Sequence, residues 1–210
     1  MNFLAHAYLA GDDDPAFLAG NLMGDFVRGT PDPALPDAVR AGIRLHRRVD
    51  VFTDRHPVVR DARRRFPPPH RRAAGIILDM AFDHFLARDW ASHHPTALPT
   101  FTRGAYTALE RQGRHLPPRL AAILPRMRDD DWLAAYADFD STVAALERMA
   151  ARLSRRREML RGAGPTLTAL YPALEADFHA FFPALVDFVR DAGKPGGVQD
   201  GQPVESDLTR

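Results

Sequence analysis

Two stretches of the chain combine histidine and aspartate at spacings that could bind a metal ion or move a proton. In the first stretch, residues 44–54, His46 and Asp50 are four residues apart. Side chains at this spacing project from the same side of a helix, which here also holds Ile43 and Val49. The sequence therefore predicts a polar pair that interrupts an apolar helix face.

The second stretch, residues 76–86, repeats this arrangement with two acidic residues. Asp79 and Asp83 are again four residues apart, on a face that also carries Met80. His84 follows directly and lies about 100° further round the same helix. Both stretches thus place ionisable groups where a helix would normally be buried.

Carboxylates on an apolar face need a partner, because an ionised carboxylate that leaves water unpaired loses several kcal/mol. Buried carboxylates are therefore paired, protonated or bound to a cation. A single His–Asp pair is consistent with a structural salt bridge. Two such stretches favour a metal or catalytic site, with a buried ion-pair network as the alternative.

Composition narrows the chemistry of such a site. The chain has 210 residues, 45% of them hydrophobic and 26% charged, which is typical of one soluble globular domain. Its net charge of +1 argues against a general nucleic-acid binder. Cysteine is absent, which excludes disulfides, thiolate nucleophiles and thiolate-bound zinc or iron–sulfur groups. Histidine and carboxylates remain as ligands.

Membrane and export signals are also missing from the sequence. No apolar run approaches the length that spans a bilayer, and the first residues lack the basic region of a signal peptide. We therefore expect a cytoplasmic protein without a membrane partner.

Imidazole and carboxylate together suit Mn²⁺, Mg²⁺ or Fe²⁺ better than a soft metal. Such an ion polarises a phosphoryl oxygen and lowers the pKa of bound water, so phosphoester hydrolysis is the expected reaction. Arg28, near Asp25, or Arg47, beside His46, could hold the phosphate. The residues alone do not identify the substrate.

The remaining pattern predicts helices and no strands, hence an all-α fold. Asp14 before Pro15 is typical of a helix start, and the helix that follows carries Asp25 and Arg28. The predicted helices span residues 2–10, 15–28, a stretch ending near 54, a stretch around 76–86, 101–112, 119–127, 132–153 and 166–191. We expect a single-domain helical bundle over residues 1–192 and a disordered tail over 193–210.

A resemblance to a known family adds to this interpretation. Four segments in the same order are similar to the acyl carrier protein phosphodiesterase family, also called acyl carrier protein hydrolase. They are residues 2–6 (NFLAH), 20–29 (GNLMGDFVRG), 42–54 (GIRLHRRVDVFTD) and 78–86 (LDMAFDHFL). Members of that family resemble the all-α HD-type phosphohydrolases, and they remove 4′-phosphopantetheine from holo-acyl carrier protein with a divalent metal, typically Mn²⁺.

The resemblance implies roles for the residues that fall in the matching segments. It implies metal ligands or water-activating groups at Asp25, His46, Asp50, Asp79, Asp83 and His84. Of these, Asp25, His46, Asp79 and His84 are the candidate catalytic residues. Substrate contacts or orienting groups are implied at Asn2, His6, Arg28 and Arg47.

The implied protein substrate is an acyl carrier protein, which is small and acidic. A basic stretch, Arg60 to Arg72, could dock it, or could be a solvated helix end. If this stretch docks the substrate, replacing Arg63 and Arg64 with glutamate should raise KM with little change in kcat. Two other functions stay open: an HD-like phosphohydrolase of a nucleotide or other small phosphoester, and a non-catalytic helical protein that binds a carrier protein.

Overall fold

The computed structural model describes residues 1–153 and 157–192, and all regular elements in those ranges are helical, which confirms the all-α prediction. Short 3₁₀ turns connect several of the helices. The described ranges contain ten α-helices: α1 (Phe3–Ala10), α2 (Pro15–Met23), α3 (Asp37–Arg55), α4 (Pro57–Arg65), α5 (Ala74–Arg88), α6 (Leu98–Glu110), α7 (Pro118–Asp129), α8 (Trp132–Ala135), α9 (Phe139–Arg152) and α10 (Ala163–Ala192). None of the described helices is long and apolar enough to cross a membrane. The predicted tail, 193–210, lies outside the described residues.

Helix α2 begins as its sequence predicts and ends earlier. The Asp14 side chain accepts hydrogen bonds from the backbone N–H groups of Ala16 and Phe17, which caps the helix N-terminus. The prediction that this helix continues to Arg28 is wrong, since it ends at Met23 and a 3₁₀ turn, Gly24–Phe26, follows. A glycine favours such a change because it stabilises the α-helix poorly.

The long helix predicted over residues 132–153 is two helices in the structure. Helix α8 ends at Ala135, and α9 begins at Phe139. Asp138 causes the restart, because its side chain accepts a hydrogen bond from the Ser141 N–H and caps a new helix. The apolar periodicity continues across the break, so it did not predict the intervening turn.

Helices α2 and α3 pack with their backbones in direct contact, and this contact positions much of the site. A Cβ atom added to Gly20 would lie 2.2 Å from the Val39 carbonyl oxygen. One added to Gly42 would lie 2.1 Å from the Phe17 carbonyl oxygen. Only glycine permits this approach at either position.

The core beside this pair is aromatic and joins α5 to the last helix. Phe82 of α5 lies 5.6 Å from Phe178 and 5.8 Å from Phe181 of α10, measured between ring centroids. All three side chains are fully buried. These contacts hold α5 in place between α10 and α1.

Candidate functional site

Three ligand-type side chains from two helices meet in what we call the histidine cluster: His6 of α1, and His46 and Asp50 of α3. The Nε2 atoms of His6 and His46 each lie 3.2 Å from an Asp50 carboxylate oxygen. The imidazole rings stack with their centroids 3.8 Å apart. Each ring is almost fully buried, so the cluster is fixed by packing as well as by its hydrogen bonds.

Asp25 joins this cluster from the 3₁₀ turn after α2. Its Oδ1 atom lies 3.2 Å from His46 Nε2, and its side chain remains 55% exposed. Gly24 makes the approach feasible, since a Cβ atom there would lie 2.2 Å from His46 Cγ. His46 thus has a carboxylate oxygen from two different segments at the same ring nitrogen.

The four groups strongly perturb each other's protonation. Burial alone would lower the pKa of His46, but its hydrogen bonds to Asp25 and Asp50 outweigh burial and raise that pKa to about 9. Burial lowers the pKa of His6 to about 4, against the effect of Asp50. The hydrogen bond from His46 lowers the pKa of Asp25, and the two histidines lower the pKa of Asp50 despite its burial.

The donor set fits a divalent cation. Ligand atoms about 2.1 Å from an octahedral ion, at right angles to one another, are about 3 Å apart. The 3.2 Å separations between imidazole nitrogens and carboxylate oxygens match that spacing. The cation would replace the proton on His46, so its binding should release protons and weaken at low pH.

Asp79 lies beside the histidine cluster, on the inner turn of α5. Its Oδ1 atom is 3.2 Å from the amino group of Met1, which lies 3.7 Å from Asp50 Oδ1. Burial raises the pKa of the Asp79 carboxyl, although the amino group opposes this. Asp79 therefore shares a charged neighbour with Asp50.

Asp83, one turn along α5, is bound to the backbone of α1. Its two carboxylate oxygens accept hydrogen bonds from the N–H groups of Leu4, at 2.8 Å, and Ala5, at 3.1 Å. These N–H groups belong to the first turn of α1, where no helical carbonyl is available. Asp83 is fully buried, and burial raises its pKa to about 7.

His84 points to another part of the core. Its Nδ1 atom lies 2.8 Å from the Tyr136 carbonyl oxygen, and its Nε2 atom lies 2.8 Å from the Tyr171 hydroxyl. Both ring nitrogens thus have partners outside the histidine cluster. The structure brings together His6, Asp25, His46 and Asp50, with Asp79 beside them, and leaves Asp83 and His84 with other partners.

Of the residues expected to contact the substrate, Asn2 lies at the cleft and the two arginines do not. Asn2 lines the cleft described below and donates a 2.7 Å hydrogen bond to the Tyr136 hydroxyl. Arg47 donates to the Val27 carbonyl oxygen at 2.8 Å and so braces the segment that follows the 3₁₀ turn. Arg28 is exposed, and neither arginine lines the cleft.

A cleft of about 740 Å³ opens beside the histidine cluster. Asp25, Asp50 and Asp79 line one part of it, and α7, α8 and α9 supply another. Sequence reasoning missed this second wall. The sequence feature that could have indicated this wall is the spacing of Arg119, Ile123 and Arg126, which places all three on one face of α7.

A second group of ligand-type residues, Asp89, Glu175 and His179, lies elsewhere on the surface. Arg88 lies 2.6 Å from a carboxylate oxygen of both Asp89 and Glu175. The guanidinium thus already compensates the two carboxylates. This group is an ion-pair network and not a metal-site candidate.

Comparisons with known proteins agree with the resemblance in the four segments. The model of the family described as acyl carrier protein phosphodiesterase matches residues 1–185. A protein of that name from Enterobacter sp. (strain 638) is 41% identical over 187 residues, which is 89% of this chain and 96% of the relative. One from Escherichia coli O45:K1 (strain S88) is 41% identical over 188 residues, with the same coverage. No solved structure matches the chain significantly.

Proposed function

This chain belongs to the acyl carrier protein phosphodiesterase family of enzymes, and we propose that it is a metal-dependent phosphodiesterase that acts on holo-acyl carrier protein. The bond cleaved joins the carrier protein's serine to 4′-phosphopantetheine. The products are the apo-protein and free 4′-phosphopantetheine. The observation that carries this proposal is the contact of two buried histidines with two aspartates that line the cleft, Asp25 and Asp50.

His6, His46, Asp50 and Asp25 would hold the divalent cation, with Mn²⁺ preferred and Mg²⁺ or Fe²⁺ as alternatives. When bound there, such an ion supplies Lewis-acid polarisation of the phosphoryl group and a more acidic water. The charge of the cleft supports a cation as well. The Met1 amino group and His46 compensate only part of the negative charge of Asp25, Asp50 and Asp79, and a bound cation would reduce their repulsion of a phosphodiester anion further.

Asp79 is the candidate for proton transfer. It lines the cleft without belonging to the four-residue donor set, and burial raises the pKa of its carboxyl, which makes it a better proton acceptor than an exposed aspartate. During hydrolysis a water oxygen bonds to phosphorus while the bond from phosphorus to the serine oxygen breaks. Asp79 would accept the water's proton and return it to the serine oxygen.

Asp83 and His84 are proposed to position other residues of the site. Asp83 fixes the start of α1 and thereby the position of His6 two residues further along. His84 links α5 to Tyr136, whose hydroxyl accepts a hydrogen bond from Asn2 in the cleft. In this proposal neither side chain contacts the metal or the substrate.

The experiment is intact-mass spectrometry of holo-acyl carrier protein incubated with the purified protein and Mn²⁺, with parallel samples in EDTA. Mn²⁺-dependent loss of the phosphopantetheine mass is the expected result. Equal loss in EDTA would contradict the metal requirement. No loss from the carrier protein, together with hydrolysis of a small phosphoester such as bis(p-nitrophenyl) phosphate, would support the HD-like phosphohydrolase instead.

A further inference from the structure

The cleft wall formed by α7 and α9 carries a repeated pattern of arginine and apolar side chains. On α7, Arg119 and Arg126 flank Ile123 at spacings of four and three residues. On α9, Arg148 and Arg152 are four residues apart, next to Met149. All six side chains line the cleft. We call the four arginines the arginine rim.

Most of the arginine rim is not engaged by other described residues. Arg119, Arg148 and Arg152 are exposed and form no hydrogen bond or ion pair within the described ranges. Arg126 pairs with Asp130 at 3.3 Å, across one exposed helical turn. Exposed i,i+4 pairs of this kind contribute only a few tenths of a kcal/mol, so Arg126 could exchange this partner readily.

The basic stretch from Arg60 to Arg72 differs in this respect. Arg63 pairs with Asp54 at 2.6 Å, Arg64 pairs with Asp61, and Arg65 pairs with Asp177. Arg71 donates to the backbone carbonyl oxygens of residues 64 and 66. The Arg64–Asp61 pair is as exposed as the Arg126–Asp130 pair, but Arg65 and Arg71 contact groups elsewhere in the fold, so the stretch offers fewer free guanidinium groups than its sequence indicates.

We propose that the arginine rim docks an acidic segment of the carrier protein beside its modified serine, an inference that rests on the proposed function. The charges of the cleft are largely separated: Asp25, Asp50 and Asp79 lie near the histidine cluster, and the four guanidinium groups lie on α7 and α9, with Asp130 beside Arg126. An acidic protein would be repelled by the first group and attracted by the second. Its prosthetic arm would then extend from the rim towards the histidine cluster.

Exposed apolar side chains in the cleft support this direction of binding. Ile76 of α5 is 44% exposed and Met149 of α9 is 39% exposed, although both are large hydrophobic residues. Rim arginines steer an acidic partner and fix its orientation, while the apolar groups contact the less polar arm. Because surface charges are screened by salt, docking at the rim should weaken as ionic strength rises.

The test compares two double variants with equal charge change. One is Arg119→Glu with Arg148→Glu, on the rim. Its matched control is Arg60→Glu with Arg72→Glu, two exposed arginines of the other basic stretch that form no ion pair with described residues. At low salt, the rim variant should raise KM for holo-acyl carrier protein about tenfold, mainly through slower association. The loss should reside in KM and not in kcat, and it should shrink at high salt.

Equal KM values for the two variants, or a larger rise in the control, would overturn the assignment to the rim. A binding measurement separates this inference from the proposed function. Calorimetric titration of the carrier protein into each variant reports docking whether or not any phosphodiester is cleaved. If the wild-type protein binds the carrier protein without hydrolysis, and only the rim variant binds weakly, the rim stands and the proposed reaction does not.

Discussion

Helices α3 and α5 each present two ligand-type side chains four residues apart, and the two pairs have different environments. His46 and Asp50 of α3 contact His6, which brings three ligand-type groups together. Asp79 of α5 lies beside them, whereas Asp83 binds the first turn of α1. Identical spacing therefore does not produce identical roles.

The difference arises from what lies opposite each helix. Facing α3 are the imidazole of His6 and the carboxylate of Asp25, which are ionisable groups. Facing Asp83 on α5 are the backbone N–H groups of the first turn of α1, which have no helical acceptor and which the carboxylate satisfies by hydrogen bonding. A buried acidic residue is thus informative about function only when its partner is known.

The largest expected effect tests the α3 pair. Asp50→Asn should lower kcat at least about a hundredfold. Mutating residues that only support metal ligands typically costs tenfold to a hundredfold in metal affinity or activity, and Asp50 is itself a proposed ligand. Mn²⁺ binding, measured by calorimetry, should fall with kcat. Thermal unfolding should be measured in parallel, because Asp50 also binds the two buried imidazoles and the Met1 amino group, and Mn²⁺ binding is to be compared at a temperature where the variant is folded.

Asp37→Asn is the matched control for this substitution. Asp37 begins the same helix, is exposed and pairs only with Arg40 among described residues. Normal Mn²⁺ binding by Asp50→Asn would remove Asp50 from the donor set. The acidic residues of α3 and α5 would then no longer differ in metal binding.

The next effect concerns the outer carboxylate of α5. Asp83→Ala leaves the N–H groups of Leu4 and Ala5 buried without an acceptor, so it should lower the free energy of unfolding by about 2 kcal/mol. Urea denaturation at pH 6 measures this loss. A variant as stable as the wild type would show that Asp83 does not hold α1, and it would reopen a functional role for this carboxylate.

A smaller effect appears in the pH dependence of stability. Burial raises the pKa of Asp83 from 3.8 to about 7, so the native state holds this proton more tightly than the unfolded chain. The stabilisation is complete below pH 3.8 and is lost as the pH rises to about 7, with a slope of at most about 1.4 kcal/mol per pH unit.

Asp83→Asn should abolish this contribution, because an amide does not titrate. The quantity to measure is the difference in unfolding free energy between wild type and variant, from urea titrations at several values between pH 4 and 8. A difference that is constant across this range would mean that Asp83 keeps its ordinary pKa in the folded protein.

The smallest effect on turnover is expected at His84. Because its ring nitrogens bind the Tyr136 carbonyl and the Tyr171 hydroxyl, His84→Gln should change kcat less than about threefold and should cost about 1 kcal/mol of stability. Steady-state kinetics with holo-acyl carrier protein measures the first quantity. A loss comparable to that of Asp50→Asn would place His84 in the catalytic machinery.

Much of the fold follows from local sequence. Apolar periodicity and the Asp14–Pro15 start predict the helices because these signals depend on neighbouring residues alone. The break between α8 and α9 was missed, since Asp138 competes with a periodicity that continues on both sides of it. The early end of α2 was missed because Gly24 weakens the helix locally while the apolar pattern gives no sign of a boundary there.

The candidate site was predicted only in outline. His46 and Asp50 are recognisable because both lie on one helix, and spacing alone fixes their relation. His6 was expected only as a substrate contact or orienting group, although its ring centroid lies 3.8 Å from that of His46 in the structure. Its position depends on the binding of α1 to Asp83 across 79 residues of sequence, a contact that periodicity does not reveal.

The glycines between α2 and α3 limit how this protein can change over evolutionary time. A single methyl group at Gly20 or Gly42 would force the two backbones apart, and one at Gly24 would displace the imidazole of His46. Substitutions that loosen the helix pair would therefore also disturb the reactive groups. At these positions a change of architecture and a loss of chemistry would come in the same step.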